Sequence, residues 1–132
     1  MTCSEITVKT DSRIQFKNIT FDIQDVIEKS KVKEGICYVF IPHTTAGITI
    51  NENADPSVKK DIINHLNKLV PVDNNFSHSE GNSDAHIKAS LMGFSLNLFI
   101  DAGKLVLGKW QDIYFCEFDG PRHRKIVVKL LQ

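Results

Sequence analysis

The residues able to do chemistry gather in three polar segments, each set against an apolar run. The first is Pro42-His43-Thr44-Thr45-Ala46-Gly47, continuing through Asn51-Glu52-Asn53-Ala54-Asp55-Pro56. The second is His78-Ser79-Glu80-Gly81-Asn82-Ser83-Asp84-Ala85-His86-Ile87-Lys88. The third is Gly108-Lys109-Trp110-Gln111 followed by Glu117-Phe118-Asp119-Gly120-Pro121-Arg122. His43 follows a β-rich run, and a strand extended through it puts Val39, Ile41 and His43 on one face. Polar side chains at the end of a buried strand are well placed to line a site. Thr44, Thr45 and the backbone before Gly47 suit an anion such as phosphate. The same hydroxyls can instead satisfy their own turn, and the segment alone favours neither reading.

His78, Glu80, Asp84 and His86 fall within nine residues. Imidazole and carboxylate are the usual donors for zinc and similar metals. Three histidines brought together with one position open make a site that activates water or polarises an oxygen. The spacing matches neither a helical His-x-x-x-His pair nor a calcium-binding loop. A solvated loop entering a capped helix, with Asp84 offsetting the helix dipole, accounts for the same residues. Glu117 is the sharpest local anomaly, because strand alternation sets it on the face of Ile113 and Phe115. A carboxylate there must be paired, metal-bound or at an exposed strand end, and Arg122 is a nearby candidate partner. Arg122, Arg124 and Lys125 form a basic cluster suited to phosphate, although such runs are more often solvated faces. Trp110 reads as a core or subunit-interface anchor, His65 as helix surface and His123 as part of an exposed turn. Neither a nucleophilic serine elbow nor a Walker motif occurs. Cys37 and Cys116 lie in apolar runs and read as core, which disfavours covalent catalysis through them.

The elements that must position these residues follow from periodicity. Ile6–Thr10 and Arg13–Phe16 alternate as strands around a turn at Asp11-Ser12. A helix is predicted from about Asp22 to Lys31. Ile36–Ile41, between Gly35 and Pro42, reads as a buried central strand, and Gly47–Asn51 as a shorter one. Asp55 and Pro56 open the clearest helix, with Val58, Ile62, Ile63, Leu66, Leu69 and Val70 as its apolar stripe and Pro71 as its stop. Ser83 or Asp84 can cap a further helix running through Leu91, with Gly93 at its end. Strands return over Ser95–Ile100 and Lys104–Leu107 around a hairpin turn at Ala102-Gly103. The last two, Gln111–Phe118 and Lys125–Leu131, flank a turn at Gly120-Pro121. This mixture predicts an α+β fold, a compact mixed and largely antiparallel sheet packed with helices, with residues 1–132 as one domain.

The 132 residues are 42% hydrophobic and 24% charged, an ordinary globular composition. Sixteen basic residues balance sixteen acidic ones. That leaves no basic excess to displace counterions from nucleic acid, and little self-repulsion to oppose oligomerisation. The longest apolar run is six residues, far short of the ~20 that a membrane span needs, and no secretory signal is visible. Three cysteines without short spacing are neither a disulfide framework nor a zinc ribbon. The expected compartment is the cytoplasm.

Taken in order, the three segments resemble the YjbQ family, also called UPF0047. Its signature stretches are matched by His43–Gly47 with Asn51–Pro56, by Glu80–Asn82 with Ala85–Gly93, and by Gly108–Gln111 with Glu117–Arg122. The match spans nearly the whole chain, with Lys109 standing where threonine is common. The resemblance implies a homotrimer and a secondary thiamine-phosphate synthase activity, generally regarded as weak. That reaction joins a pyrimidine methyl diphosphate to a thiazole phosphate and releases pyrophosphate. The dedicated synthase is a barrel, which needs at least ~200 residues, so this chain must use another scaffold. Carried over position by position, the resemblance puts His43, Asn51, His86 and Glu117 at or near a shared site, with Asn82, Asp84 and Lys88 alongside. Thr44, Thr45 and Arg122 are assigned to phosphate, and His43, His86 and His78 to a metal.

The leading expectation is a metal-assisted transferase acting on a phosphorylated small molecule. Lys88 or Arg122 stabilises developing charge, and His43 or His86 either ligates metal or moves a proton. The divalent ion is zinc or a similar metal at the histidines, or magnesium arriving with a diphosphate. A non-catalytic trimeric module binding metal or metabolite, and a phosphoester hydrolase, are the alternatives. In a small oligomer the site can also lie between subunits.

Overall fold

Alternating and helical hydrophobic patterns resolve into eleven elements in the computed structural model, which describes residues 3–132. They are β1 (Cys3–Lys9), β2 (Gln15–Asn18), α1 (Thr20–Ser30), β3 (Gly35–Phe40), β4 (Ala46–Glu52), α2 (Pro56–Leu69), α3 (Ser83–Met92), β5 (Ser95–Asp101), β6 (Lys104–Leu105), β7 (Gln111–Glu117) and β8 (His123–Leu131). The fold is α+β, as the sequence predicts. Every described strand pair is antiparallel.

The strands form two sheets. One has the order β1-β8-β3-β5-β6 and the other β2-β7-β4. This corrects two hairpins that the sequence suggests. β1 pairs with β8 and β2 with β7, so the Asp11-Ser12 turn carries the chain from one sheet to the other. The Gly120-Pro121 corner does the same between β7 and β8. Turn residues mark where a strand stops, but they do not say which strand it pairs with. The Ala102-Gly103 hairpin does form, with both residues at positive φ and Asp101 paired to Lys104.

The alternation within each strand assembles the core. Val8, Cys37, Val39, Ile126, Val128 and Ile100 of the five-stranded sheet meet Ala46, Ile48, Ile113 and Phe115 of the three-stranded sheet. α1 adds Ile23 and Ile27 to the same cluster, and Ile19 at its N-cap joins them. The Ile19 amide donates to the Ile113 carbonyl, fixing α1 at that end of β7. The other face of the three-stranded sheet presents Phe16, Tyr114 and Cys116, followed by Phe118, to Ala85 and Ala89 of α3 and to Ile62, Ile63 and Leu66 of α2. The structure is therefore layered: sheet, sheet, helices. α2 starts as predicted, with Asp55 accepting from the Ser57 amide at 2.9 Å and Pro56 in its first turn. Its stripe is only half-buried, however, and Leu69 is exposed. Asn82, not Ser83 or Asp84, occupies the N-cap position of α3, and its side chain makes no capping bond.

Three connections cross between the sheets at one end of the sandwich: Thr10–Ile14, Ile41–Thr45 and Phe118–Arg122. Backbone bonds stitch them together. The Thr10 amide donates to Arg122, Phe118 to Thr45 and Gly120 to Arg13. Gly120 is needed there because a β-carbon would lie 2.5 Å from the Ser12 carbonyl oxygen and 2.8 Å from both Glu117 Cγ and Thr10 Oγ1. Backbone and a buried carboxylate cannot yield that space. Gly120→Ala is expected to destabilise the protein by about 1–3 kcal/mol through overpacking, read as a lower midpoint with an unchanged slope in urea denaturation.

Candidate functional site

The crossing end is held by a buried polar lattice. Glu117 projects from the three-stranded sheet into the interior, as strand alternation requires, and Arg124 projects to meet it from β8 of the other sheet. Both are buried, at 0% and 3% exposure. Arg124 Nε donates to Glu117 Oε1 at 2.9 Å, and its Nη2 donates to Glu117 Oε2. Nη2 also reaches Thr45 Oγ1 at 2.9 Å. Thr10 Oγ1 and the Asp119 amide complete the carboxylate, at 2.8 and 3.1 Å. Burial works against the charge of Glu117, yet Arg124, Thr10 and the Asp119 amide together hold its pKa below the ordinary value of 4.5. The partner predicted from sequence was Arg122, and that assignment is corrected. Arg122 begins the β8 approach at the surface, whereas the position two residues later faces inward, where the carboxylate lies.

Arg122 is instead half-exposed and braced by Asp119. Its Nε donates to the Asp119 carbonyl at 3.0 Å and its Nη2 to Asp119 Oδ2 at 3.1 Å. Asp119 Oδ2 also accepts from Asn82 Nδ2 at 2.9 Å, which links the corner to the start of α3. Asn82 Oδ1 is buried and has no partner among the described residues. Thr44, Thr45, His78, Glu80, Asn82, His86, Asp119 and Arg122 line one depression of about 310 Å³. His78 and His86 lie edge to face within it, ring centroids 5.5 Å apart, and His78 Nε2 is 3.8 Å from Glu80 Oε2.

His43 lines an adjoining cleft of about 590 Å³, with Phe40, Ile41, Pro42, Phe94 and Arg124, and the two cavities share Thr44, Thr45 and Arg122. The Lys125 amide donates to His43 Nε2 at 2.9 Å. Burial and the nearby Arg124 push this imidazole below its ordinary value of 6.5, outweighing the Lys125 bond and Glu117. His43 is therefore neutral at pH 7, its Nε2 lone pair is taken, and the proton resides on Nδ1. It is a hydrogen-bond donor, and its acceptor nitrogen is not free for metal. Among the described residues no three His, Cys, Asp or Glu side chains come together in metal-holding geometry. The three-histidine set predicted from sequence is thus divided, His78 with His86 and His43 apart.

The remaining predicted residues lie elsewhere. Asp84 and Lys88 are fully buried in a separate network beneath α2. Arg13 grips Asp84 with two bonds of 3.0 and 3.1 Å, while Lys88 Nζ donates to Asn67 Oδ1 at 2.8 Å and stands 3.5 Å from Asp84. Burial lowers the pKa of Lys88 against the pull of Asp84. Burial also opposes the Asp84 charge, but Arg13 and Lys88 keep that carboxyl below its usual range. Neither side chain lines the two cavities described above. Asn51 sits at the opposite end of β4 from Ala46, the partner of Glu117, about 17 Å away along an extended strand. Its Oδ1 accepts from the next amide, that of Glu52, at 2.7 Å. Neighbouring Asn53 joins Asp112 at 2.8 Å and bonds the Tyr114 hydroxyl, so this half of the first motif builds a structural corner. Trp110, 56% exposed, is not core. Cys37 and Cys116 are buried as predicted, and burial pushes the Cys37 thiol up to about 12 and Cys116 up as well.

Asp119 and Thr10 escaped the sequence reading, and Arg124, read there as part of a basic cluster suited to phosphate, is instead buried against Glu117. Asp119 lies inside a recognised motif but reads as turn chemistry, and Thr10 is 107 positions from its partner Glu117. Removing the charge of Glu117 tests the lattice. Glu117→Gln leaves Arg124 buried without its counter-charge and is expected to cost about 3–5 kcal/mol. The pH dependence follows from the lowered carboxyl. Its stabilisation is complete above the unfolded pKa and is lost as pH falls through the folded one. The wild type should therefore lose stability below about pH 4.5 more steeply than Glu117→Gln, as measured by urea denaturation from pH 2 to 6.

The UPF0047 protein YjbQ-like family model matches residues 4–132. A UPF0047 protein from Methanocaldococcus jannaschii is 58% identical over 124 residues, covering 94% of this chain and 90% of its own. The UPF0047 protein YugU of Bacillus subtilis is 42% identical over 127 residues, covering 96% of each. An uncharacterized conserved protein of the YjbQ/UPF0047 family from Clostridium acetobutylicum has a crystal structure that superposes with a TM-score of 0.95 at 54% identity, covering 97% of this chain and 99% of that one. The crystal structure of a protein of unknown function from Sulfolobus solfataricus gives 0.92 at 32% identity, covering 98% and 95%. With the family pattern running through the whole fold just described, this chain belongs to the YjbQ-like, UPF0047 family.

Proposed function

We propose that this chain is an enzyme of phosphorylated small-molecule metabolism whose site is the crossing end of the sandwich, with a secondary thiamine-phosphate synthase activity. One observation carries the reading: a braced guanidinium and an asparagine with a buried, unpartnered acceptor line the same small depression. Arg122 is held by Asp119, and Asn82 Oδ1 has no partner among the described residues. An anion answers the first and a hydroxyl or amino group of the ligand answers the second. Thr44 lines the same depression, and its hydroxyl is a further donor for phosphate oxygens.

In the proposed reaction the ring nitrogen of the thiazole phosphate attacks the exocyclic methylene of the pyrimidine methyl diphosphate. The C–N bond forms as the C–O bond to diphosphate breaks, and pyrophosphate leaves with the electron pair. Arg122 opposes the charge growing on the leaving oxygens. The neutral His43 donates through Nδ1 and does not act as a base. His78 and His86 border the diphosphate, while Glu117 acts through Arg124 and Thr45 as a positioning residue. Asp84 and Lys88 support α3, and Asn51 joins this site only across a subunit boundary. The proposed assembly is a homotrimer, supported by the uncovered outer face of the five-stranded sheet, where Tyr38 and Phe99 are exposed. The cytoplasm, which supplies such metabolites and keeps thiols free, is the proposed compartment.

A divalent metal is a separate part of the proposal. His78 and His86 supply two imidazoles, and zinc there needs further donors from outside the described chain; magnesium instead needs diphosphate oxygens. Metal analysis by mass spectrometry decides between these. Zinc that copurifies and vanishes in the His78→Ala/His86→Ala double variant supports the histidine pair, and no difference between the proteins removes it.

Turnover of the two phosphorylated precursors to thiamine phosphate is the direct assay. Arg122→Ala is expected to lower kcat/KM about 10–100-fold, the loss of one charge-assisted interaction, without altering the thermal midpoint by more than a few degrees. Unchanged turnover in Arg122→Ala and His86→Ala overturns the site. Phosphate binding without turnover in the wild type makes the chain a binding module.

A further inference from the structure

The larger cleft beside His43 has a composition that the phosphate reading does not use. One wall is aromatic. Phe40 ends β3 and Phe94 immediately precedes β5, and the Ile41 amide donates to the Phe94 carbonyl at 2.7 Å, so the two rings are pinned side by side. They pack edge to face, with centroids 6.1 Å apart at 78°. In this pairing the edge of one ring covers one face of its neighbour, and the pair leaves the remaining ring faces uncovered. Both side chains are exposed, Phe40 at 44% and Phe94 at 63%. The polar part of the lining is His43, Thr44, Thr45, Arg122 and Arg124. Arg124 is spent on Glu117, but Arg122 is shared with the anion-lined depression next door.

We infer that this cleft is a ring subsite: Phe40 and Phe94 form a corner that receives an aromatic or heteroaromatic moiety, flat face on one ring and edge against the other, whose phosphate is held at Arg122 and Thr44. The inference rests on the anion reading of Arg122 given above and adds the residues that select a ring-bearing phosphate over an aliphatic one. The two cavities share the residues that hold the anion, so a ligand with a ring at one end and a phosphate at the other spans them without leaving the wall. The charge suits that ligand: Arg122 attracts the phosphate, and the aromatic wall excludes a second charge. The neutral His43 contributes one donor, Nδ1–H, suited to a ring nitrogen or a phosphate ester oxygen. An aliphatic phosphate makes the same polar contacts and leaves both phenyl rings in water. Phe40 and Phe94 are therefore specificity-determining residues, not holders of charge.

Calorimetric titration with three probes tests this: phenyl phosphate, glycerol phosphate and inorganic phosphate. Wild type is expected to bind phenyl phosphate at least 10-fold more tightly than glycerol phosphate. Phe94→Ala and Phe40→Ala should each remove most of that preference and leave inorganic phosphate within 2-fold. Arg122→Ala should weaken all three alike. Phe94→Leu keeps apolar bulk without a flat face and should lose the preference while sedimenting as wild type does, which separates stacking from any effect on assembly. Equal affinity for phenyl and glycerol phosphate overturns the ring subsite and leaves the anion reading standing. So does a preference that survives in both alanine variants. Failure of all three probes to bind wild type overturns both.

Discussion

The Glu117–Arg124 pair is the constraint on which the rest of this structure depends. It joins the inner faces of two sheets that otherwise meet largely through apolar packing, and it does so where three chain crossings meet. Apolar packing fixes distance but tolerates sliding. A two-point guanidinium–carboxylate contact fixes angle and register as well. With Thr10, Thr45 and the Asp119 amide bonded into the same pair, two crossings contribute a side chain and the third a backbone N–H to one lattice. A pair this deeply buried adds little net stability compared with a well-packed apolar substitute. What it supplies is geometry, a hypothesis consistent with its place directly behind the candidate site.

That geometry organises the surface groups. Asp119 receives its position from the hydrogen bond its amide donates to Glu117 and in turn braces Arg122 and Asn82. Thr45 is fixed by Arg124, which places Thr44 on the wall between the two cavities. His43 is oriented by the Lys125 amide, one residue beyond Arg124. The groups open to a ligand thus sit one bond or one residue away from the buried pair. An arrangement of this kind keeps donors in place before a ligand arrives, which is how electrostatic preorganisation works.

Much of this was legible in the sequence, and the gaps have physical causes. Helix α2 announced itself through Asp55 and Pro56 because capping is a local interaction. Strand alternation correctly set Glu117 on an interior face because that pattern is local too. Its partner was misread, since proximity in sequence favoured Arg122 while the pleat turned Arg124 inward. Pairing of β1 with β8 and of β2 with β7 was not legible, because turn residues at Asp11-Ser12 and Gly120-Pro121 look alike whether a chain reverses within a sheet or crosses to another. The three histidines were grouped by the resemblance, not by a diagnostic spacing. The fold separated them, for a loop of polar residues carries no signal of which neighbour its side chains meet. Lys88 and Asp84 read as residues alongside the site, and the packing of α2 over α3 buries them in a network of their own.

The lattice also bears on how the protein comes to exist. Thr10 bonds to Glu117 across 107 positions and to Arg122 across 112. Contacts of such separation form only after the intervening chain has been gathered, and topologies built on them fold slowly. A partly folded chain can own its helices and its β5–β6 hairpin, which are short-range, while lacking any ordered crossing end. The ability to hold an anion is then a property of the finished molecule alone, so binding and completeness of folding are reported by the same few atoms.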